Sequence, residues 1–152
     1  MGKVKVYFTK RITPESLVEI FKKVGYELKG NVGVKISTGE PGGHNFLNPE
    51  MIKPLVDLLQ GTIVECNTAY AGQRNSTEKH KLTFIKHGWT KYFDVDLMDE
   101  EDDDLVVEIK NHNVIDKDYL GSHIDNYDSI LVLSHFKGHP MGGFGGAIKQ
   151  LS

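Results

Sequence analysis

The 152 residues are 39% hydrophobic and 26% charged, a composition that supports one ordinary globular domain and excludes disordered and collagen-like chains. Eighteen Lys and Arg against 21 Asp and Glu leave a net charge of −3 with no basic stripe, which argues against nucleic acid as a partner. The start turns polar by Thr9 and Lys10 and no apolar run reaches membrane-spanning length, so neither a signal peptide nor a membrane partner is expected and the location reads as cytoplasmic.

Val4, Val6 and Phe8 alternate as in a first strand. Thr13 and Pro14 then read as the cap and first residue of a helix that carries Leu17, Ile20, Phe21 and Val24 and ends near Gly25. A second strand is predicted over residues 31–37. Asn48 and Pro49 open a helix through Leu55, Leu58 and Leu59, with Pro54 as a kink or restart and Gly61 as the stop before a strand over 62–66. Asn75 with Glu78 resembles a capping box for a helix that presents Leu82 and Ile85, terminated at Gly88 and followed by a short extended stretch from Trp89 to Phe93 with Asp94 at its end. Leu105 to Ile109 reads as another strand, and Leu120, His123, Ile124 and Tyr127 share one helical face. Residues 129–133 have the continuous apolarity of a strand buried on both faces. The alternation predicts an α/β fold, a largely parallel sheet flanked by helices in Rossmann-like layers, as a single domain over 1–152.

In such sheets ligands bind at the carboxyl ends of the strands. The loops expected there are Thr9 to Arg11, Thr38 to Asn45, Asn67 to Arg74, and Ser134 to Gly146. In the first part of the second loop, Glu40 and His44 combine a carboxylate with an imidazole, suited either to acid–base chemistry or to a plain turn. Arg74 is a candidate clamp for a carboxylate or phosphate, beside Asn67, Thr68 and Tyr70, or else the partner of a surface acid. In the last loop Gly142, Gly143, Gly145 and Gly146 lead into Ala147 and can aim backbone N–H groups at an anion, with Lys137 and Lys149 adding charge; the alternative is close packing alone. It is neither a Walker loop nor the dinucleotide fingerprint. His135 and His139, with His44 or Asp94, are candidate ligands of a divalent metal, against a polar loop pinned by histidine hydrogen bonds. Cys66, the single cysteine, excludes an internal disulfide, cannot alone hold an iron–sulfur cluster, and reads as a small buried hydrophobe rather than a reactive thiolate. His123 reads as a core or boundary histidine, and His80, His87 and His112 as structural or exposed. The acidic run from Asp99 to Asp104 lacks the EF-hand alternation and reads as a solvated turn.

The stretches Val34-Lys-Ile-Ser-Thr-Gly-Glu40, Asn67-Thr-Ala-Tyr70 and above all Ser134-His-Phe-Lys-Gly-His139 leading to Gly145-Gly-Ala-Ile-Lys149 resemble the domain of unknown function 362 family, described as uncharacterised iron–sulfur centre proteins. The match rests on Lys137, His139, Gly146, Ala147, Ile148 and Lys149. The resemblance implies that Lys137, His139 and the glycines of the last loop line a functional pocket. It also implies a 4Fe-4S cluster held by a ferredoxin-like cysteine segment that these residues do not include, so that the chain reads as the amino-terminal part of a longer protein, truncated by design or proteolysis; a helix cut at Ser152 points the same way.

Three functions follow as expectations. The first is the cofactor- or substrate-binding domain of an iron–sulfur redox protein, taking a small-molecule or anionic ligand and working with a redox partner. The second is a metal-dependent hydrolase or isomerase with His135, His139 and His44 as ligands and Glu40 as base. The third is a non-catalytic anion-binding domain. No catalytic role is assigned to any residue, and the oligomeric state is open.

Overall fold

The computed structural model describes residues 3–101 and 104–151. Its first helix, α1 (Pro14–Val24), forms where the sequence supplies every local signal. Thr13 and Ser16 close a capping box, Pro14 fixes the first turn, and Gly25 ends the helix at φ 74°. The strand β1 (Val32–Lys35) follows. Helix α2 (Pro49–Leu59) is capped by the Asn48 side chain, which accepts from the amides of Glu50 and Met51, and it runs on through Pro54. After β2 (Thr62–Glu65) come α3 (Thr77–Lys86), a 3-10 turn over Trp89–Lys91, and β3 (Val95–Leu97).

These strands join β6 (Ser129–Val132) in a four-stranded, all-parallel sheet of order β3-β2-β1-β6, flanked by helices. The fold is therefore α/β. The register pairs Val34 with Ile63 on one side and with Leu131 on the other. Alternation along β1 sends Val32, Val34 and Ile36 into the core, against Ile63, Ile52 and Val56 of α2, Phe84 of α3, Trp89 and Leu97. The chain passes outward from β1 through β2 to β3 and then returns to the opposite side of β1 as β6. That reversal is a topological switch point, and the loops leaving the carboxyl ends of β1 and β6 diverge there.

Between β3 and β6 lies an antiparallel hairpin, β4 (Asp104–Glu108) with β5 (Lys117–Gly121), separate from the main sheet, and a 3-10 turn over Ser122–Asn126. The helical face expected through Leu120, His123, Ile124 and Tyr127 does not form. Instead His123 Nδ1 and the Tyr127 hydroxyl, 2.7 and 2.6 Å from the two oxygens of Asp96, lock this turn onto β3. The expected strand through Val4, Val6 and Phe8 is also absent. These side chains are 83–88% exposed, and alternation without a pairing edge is insufficient to make a strand. Helix α3 buries His80, Thr83 and Phe84 and leaves Leu82 and Ile85 exposed, the reverse of the expected face. Asp102 and Asp103 of the acidic run lie outside the described residues, as does Ser152 at the chain's end.

The last segment differs most from expectation. Residues expected to be one open loop form the hairpin β7 (Lys137–His139) and β8 (Gly143–Gly145), followed by the short helix α4 (Ala147–Leu151). Gly143 turns the hairpin at φ 73°, and Phe136 and Phe144 meet as tilted rings with centres 5.3 Å apart. The Gln150 amide donates to the Lys35 carbonyl at 2.7 Å, which pins α4 over the switch point. β6, expected to be buried on both faces, is an edge strand and only half-buried. Among the described residues no helix is long and apolar enough to cross a membrane.

Trp89 ties the core to the loop after β1, because its fully buried indole donates to the Thr38 carbonyl at 3.0 Å. Trp89→Phe keeps most of the apolar area and removes that donor. Equilibrium urea denaturation should give a stability loss of about 1–3 kcal/mol with an unchanged m-value.

Candidate functional site

Both β1 and β2 carry no charge until their last residue: Lys35 and Glu65. Each strand thus delivers an ionised side chain to the carboxyl end of a sheet where little water reaches, at 6% and 3% exposure respectively. Such burial demands full compensation. Lys35 Nζ lies 2.6 Å from one oxygen of Glu65. The other oxygen accepts from the Thr38 amide at 3.0 Å and from Arg74 Nη1 at 3.3 Å. The Cys66 amide adds a further bond at 3.2 Å. Glu65 is therefore the hub of a buried network.

Arg74 reaches the hub from the loop between β2 and α3, which the bond from the Thr68 amide to the Arg74 carbonyl closes at 2.8 Å. Its Nη2 donates to Glu40 and lies 3.0 Å from the Tyr70 hydroxyl, which itself donates to the same Glu40 oxygen at 2.7 Å. Two lysine and arginine charges thus meet two carboxylates. Partial burial pushes the Glu40 carboxyl up, but the bonds from Arg74 and Tyr70, with the nearby charges of Arg74 and Lys137, outweigh it and hold the group below the ordinary carboxylate range. Arg74 Nε is buried and has no hydrogen-bond partner among the described residues, and the same holds for Ser134 Oγ at the end of β6.

His80, fully buried on α3, faces the Thr38 hydroxyl through Nε2 at 3.0 Å and Asn67 Oδ1 through Nδ1 at 3.3 Å. Burial, reinforced by the positive charges of Arg74 and Lys35 and only partly opposed by Glu65, pushes its pKa down to about 4. The neutral ring then donates from Nδ1 to Asn67 and accepts from Thr38. Thr38 is further held at its carbonyl by His87 Nδ1–H at 2.8 Å as well as by Trp89. Phe46 stacks on His87 at 4.3 Å and lies against Gly39, where an added Cβ would stand 2.7 Å from its ring. With φ at 91°, position 39 admits only glycine without strain.

The structure brings Glu40 and Arg74 together and sets Lys137 near enough for its charge to act on Glu40. It does not assemble the three histidines. Among the described residues no group of three His, Cys, Asp or Glu side chains is placed to hold a metal ion, so His44, His135 and His139 form no such centre. His139 Nδ1 instead accepts from the Gly142 amide at 3.1 Å. Gly143 and Gly145 stand in β8, opposite His139 and Lys137 of β7, with Gly142 and Gly146 on either side of that strand. An added Cβ at Gly72 or Gly138 would meet nothing within 4 Å, and neither has a positive φ, so packing within this chain does not require glycine at either position. Cys66 is half-buried, and burial pushes its thiol up to about 11, an unreactive state.

Lys35 and Glu65 are members of the network that sequence reasoning passed over, and His80, read as structural or exposed, is fully buried in it. The available signal was a lone charge ending each of two apolar strands. The larger surface groove, about 650 Å³, lies between Tyr7, Phe8 and α1, and another of about 380 Å³ lies at the amino ends of β2 and β3. Neither touches the network, which closes over itself through its own ion pairs.

Removing the hub leaves two buried cations short of a partner. Glu65→Gln should cost about 3–5 kcal/mol of stability, and a cycle with Lys35→Met should show strong coupling between the two positions. Below its unfolded pKa of about 6.5, His80 takes up a proton more readily in the unfolded chain than in the folded one. Its contribution is therefore intact above pH 6.5 and is lost as the pH falls towards 4, by roughly 3 kcal/mol in total. Stability measured against pH should show a shallower acid slope in His80→Gln.

Over residues 32–152 the chain matches the family model described as Domain of unknown function (DUF362). No curated protein and no solved structure matches it. The matched span takes in the whole parallel sheet, the buried network and the closing hairpin, and the chain belongs to the DUF362 family.

Proposed function

We propose that this chain is the ligand-binding α/β domain of an iron–sulfur redox protein and that it takes a small anionic substrate or cofactor at the carboxyl ends of β1, β2 and β6. The observation that carries the binding half is Arg74, a guanidinium 6% exposed in the loop after β2, with one donor lacking a partner among the described residues. Arg is the side chain best suited to hold a carboxylate or phosphate in a water-poor site. Lys137, on the hairpin that follows β6, lies near enough for its charge to act on Glu40 beside Arg74. Glycine at 72 and 138 leaves room for close approach of a ligand.

The redox half rests on the family resemblance. A 4Fe-4S cluster needs about four thiolates, and this chain has one cysteine, half-buried with its thiol pushed up to about 11. These residues do not fit a cluster. In this reading the cluster belongs to another polypeptide segment or a redox partner, and the present domain contributes binding and orientation. A cytoplasmic location belongs to the same reading and agrees with the single unpaired cysteine. Metal-dependent hydrolysis through His44, His135 and His139 has no gathered ligand set among the described residues to support it.

Isothermal titration with inorganic phosphate and with oxalate tests the binding half. Arg74→Lys should weaken the tighter of the two by roughly tenfold or more, and Lys137→Ala by several-fold. Failure of both anions to bind removes the binding half. Iron and acid-labile sulfide in the gene product purified without oxygen test the redox half, which fails if neither is present.

A further inference from the structure

Arg74 carries two carboxylates of very different standing. Glu65 is 4% exposed in its side chain and ends a central strand, tied also to Lys35, Thr38 and Cys66. Glu40 is 47% exposed and sits in the loop after β1, between Gly39 and Gly42, both of which have positive φ. Its carboxylate meets the Arg74 guanidinium and the Tyr70 hydroxyl.

The fork geometry separates them further. A guanidinium offers two side-by-side donor pairs, one of which is Nε with Nη2. Glu40 engages that pair on one atom only: a single oxygen takes Nη2 and the Tyr70 hydroxyl, while Nε, buried, has no partner among the described residues. A carboxylate that could approach squarely would satisfy Nε and Nη2 together, which is the geometry Arg favours. Glu40, tethered by its own backbone, does not make that approach.

Resting on the reading of this crevice as an anion site, we propose that the Nε–Nη2 edge of Arg74, with the Tyr70 hydroxyl beside it, is the seat for a carboxylate of the ligand, and that Glu40 occupies it as an internal substitute which the ligand displaces. The ligand is then a small carboxylic acid rather than a phosphate ester. Because Glu40 already holds Nη2 and the Tyr70 hydroxyl, binding of the ligand and release of Glu40 are one event. The resident carboxylate lowers apparent affinity by the fraction of molecules in which it holds the seat. Lys137, whose charge already acts on Glu40, faces the incoming acid in the same way.

The test is titration of the purified chain with acetate, oxalate and inorganic phosphate, in wild type, Glu40→Ala, Glu40→Gln and Glu40→Ala/Arg74→Lys, followed by calorimetry and thermal shift. Glu40→Ala should bind acetate and oxalate at least tenfold more tightly than wild type and gain thermal stability with added acetate. Glu40→Gln should fall between the two, and the double variant should lose the gain; the Gln variant also serves if Glu40→Ala does not fold. Equal affinity in wild type and both Glu40 variants overturns the internal-substitute role while leaving the anion site standing. A gain for phosphate without one for the carboxylates overturns the ligand class. No binding of any of the three anions in any variant overturns both this proposal and the site on which it rests.

Discussion

The Glu65 carboxylate is the constraint on which the carboxyl end of this sheet depends. One buried group with two oxygens holds a lysine from the neighbouring strand, the Thr38 amide of the loop after β1, an arginine from the next loop and the Cys66 amide just past the end of its own strand. The burial of the ion pairs does not by itself favour the fold, since apolar side chains of similar volume would pack there at no desolvation cost. What the network provides is position. It fixes where the loops after β1 and β2 leave the sheet, and so where Thr38, Glu40, Tyr70 and Arg74 meet. Trp89 and His87 complete this from the other side by holding the Thr38 carbonyl.

How much of this was legible depended on whether the determining contacts are local. The caps of α1 and α2 were readable because Thr13 with Ser16, and Asn48 with its two amides, act within one turn. The α/β class and the position of the site at the carboxyl ends of the strands followed from alternation alone. The face of α3 was not readable, because the choice between His80 and Leu82 is made by Thr38 and Asn67, contributed by two other loops. The segment from Leu120 to Tyr127 has helical spacing, yet pairing with β4 and the Asp96 contacts prevail over it. Val4, Val6 and Phe8 alternate as strongly as β6 is apolar, and no sheet edge is paired with them.

The site shows the same division. Glu40 and Arg74 were identifiable as chemistry in the right loops, but their meeting is a product of topology. Lys35 and Glu65 are inconspicuous in sequence because a charge at the end of an apolar strand reads as the point where the strand surfaces. In this fold the strands end beneath three loops, so these charges stay buried. The glycines of the last segment looked like a device for binding an anion through backbone amides. Those at 143 and 145 stand opposite His139 and Lys137 in the hairpin, and the group that closes over the switch point is the amide of Gln150.

The position of β6 as an edge strand has a practical consequence. Its outer side carries main-chain donors and acceptors not matched by another strand among the described residues, on a run of Ser129, Ile130, Leu131 and Val132 that is only half-buried. Edges of this kind are templates, and this one lacks the lysine, proline or bulge with which proteins usually discourage strand addition. A polypeptide laid along it would continue the sheet without breaking an existing bond and would shield the apolar run at the same time. At high concentration the same property makes β6 the place where this chain would begin to aggregate, so a charged residue introduced there is the natural first step towards keeping it monodisperse.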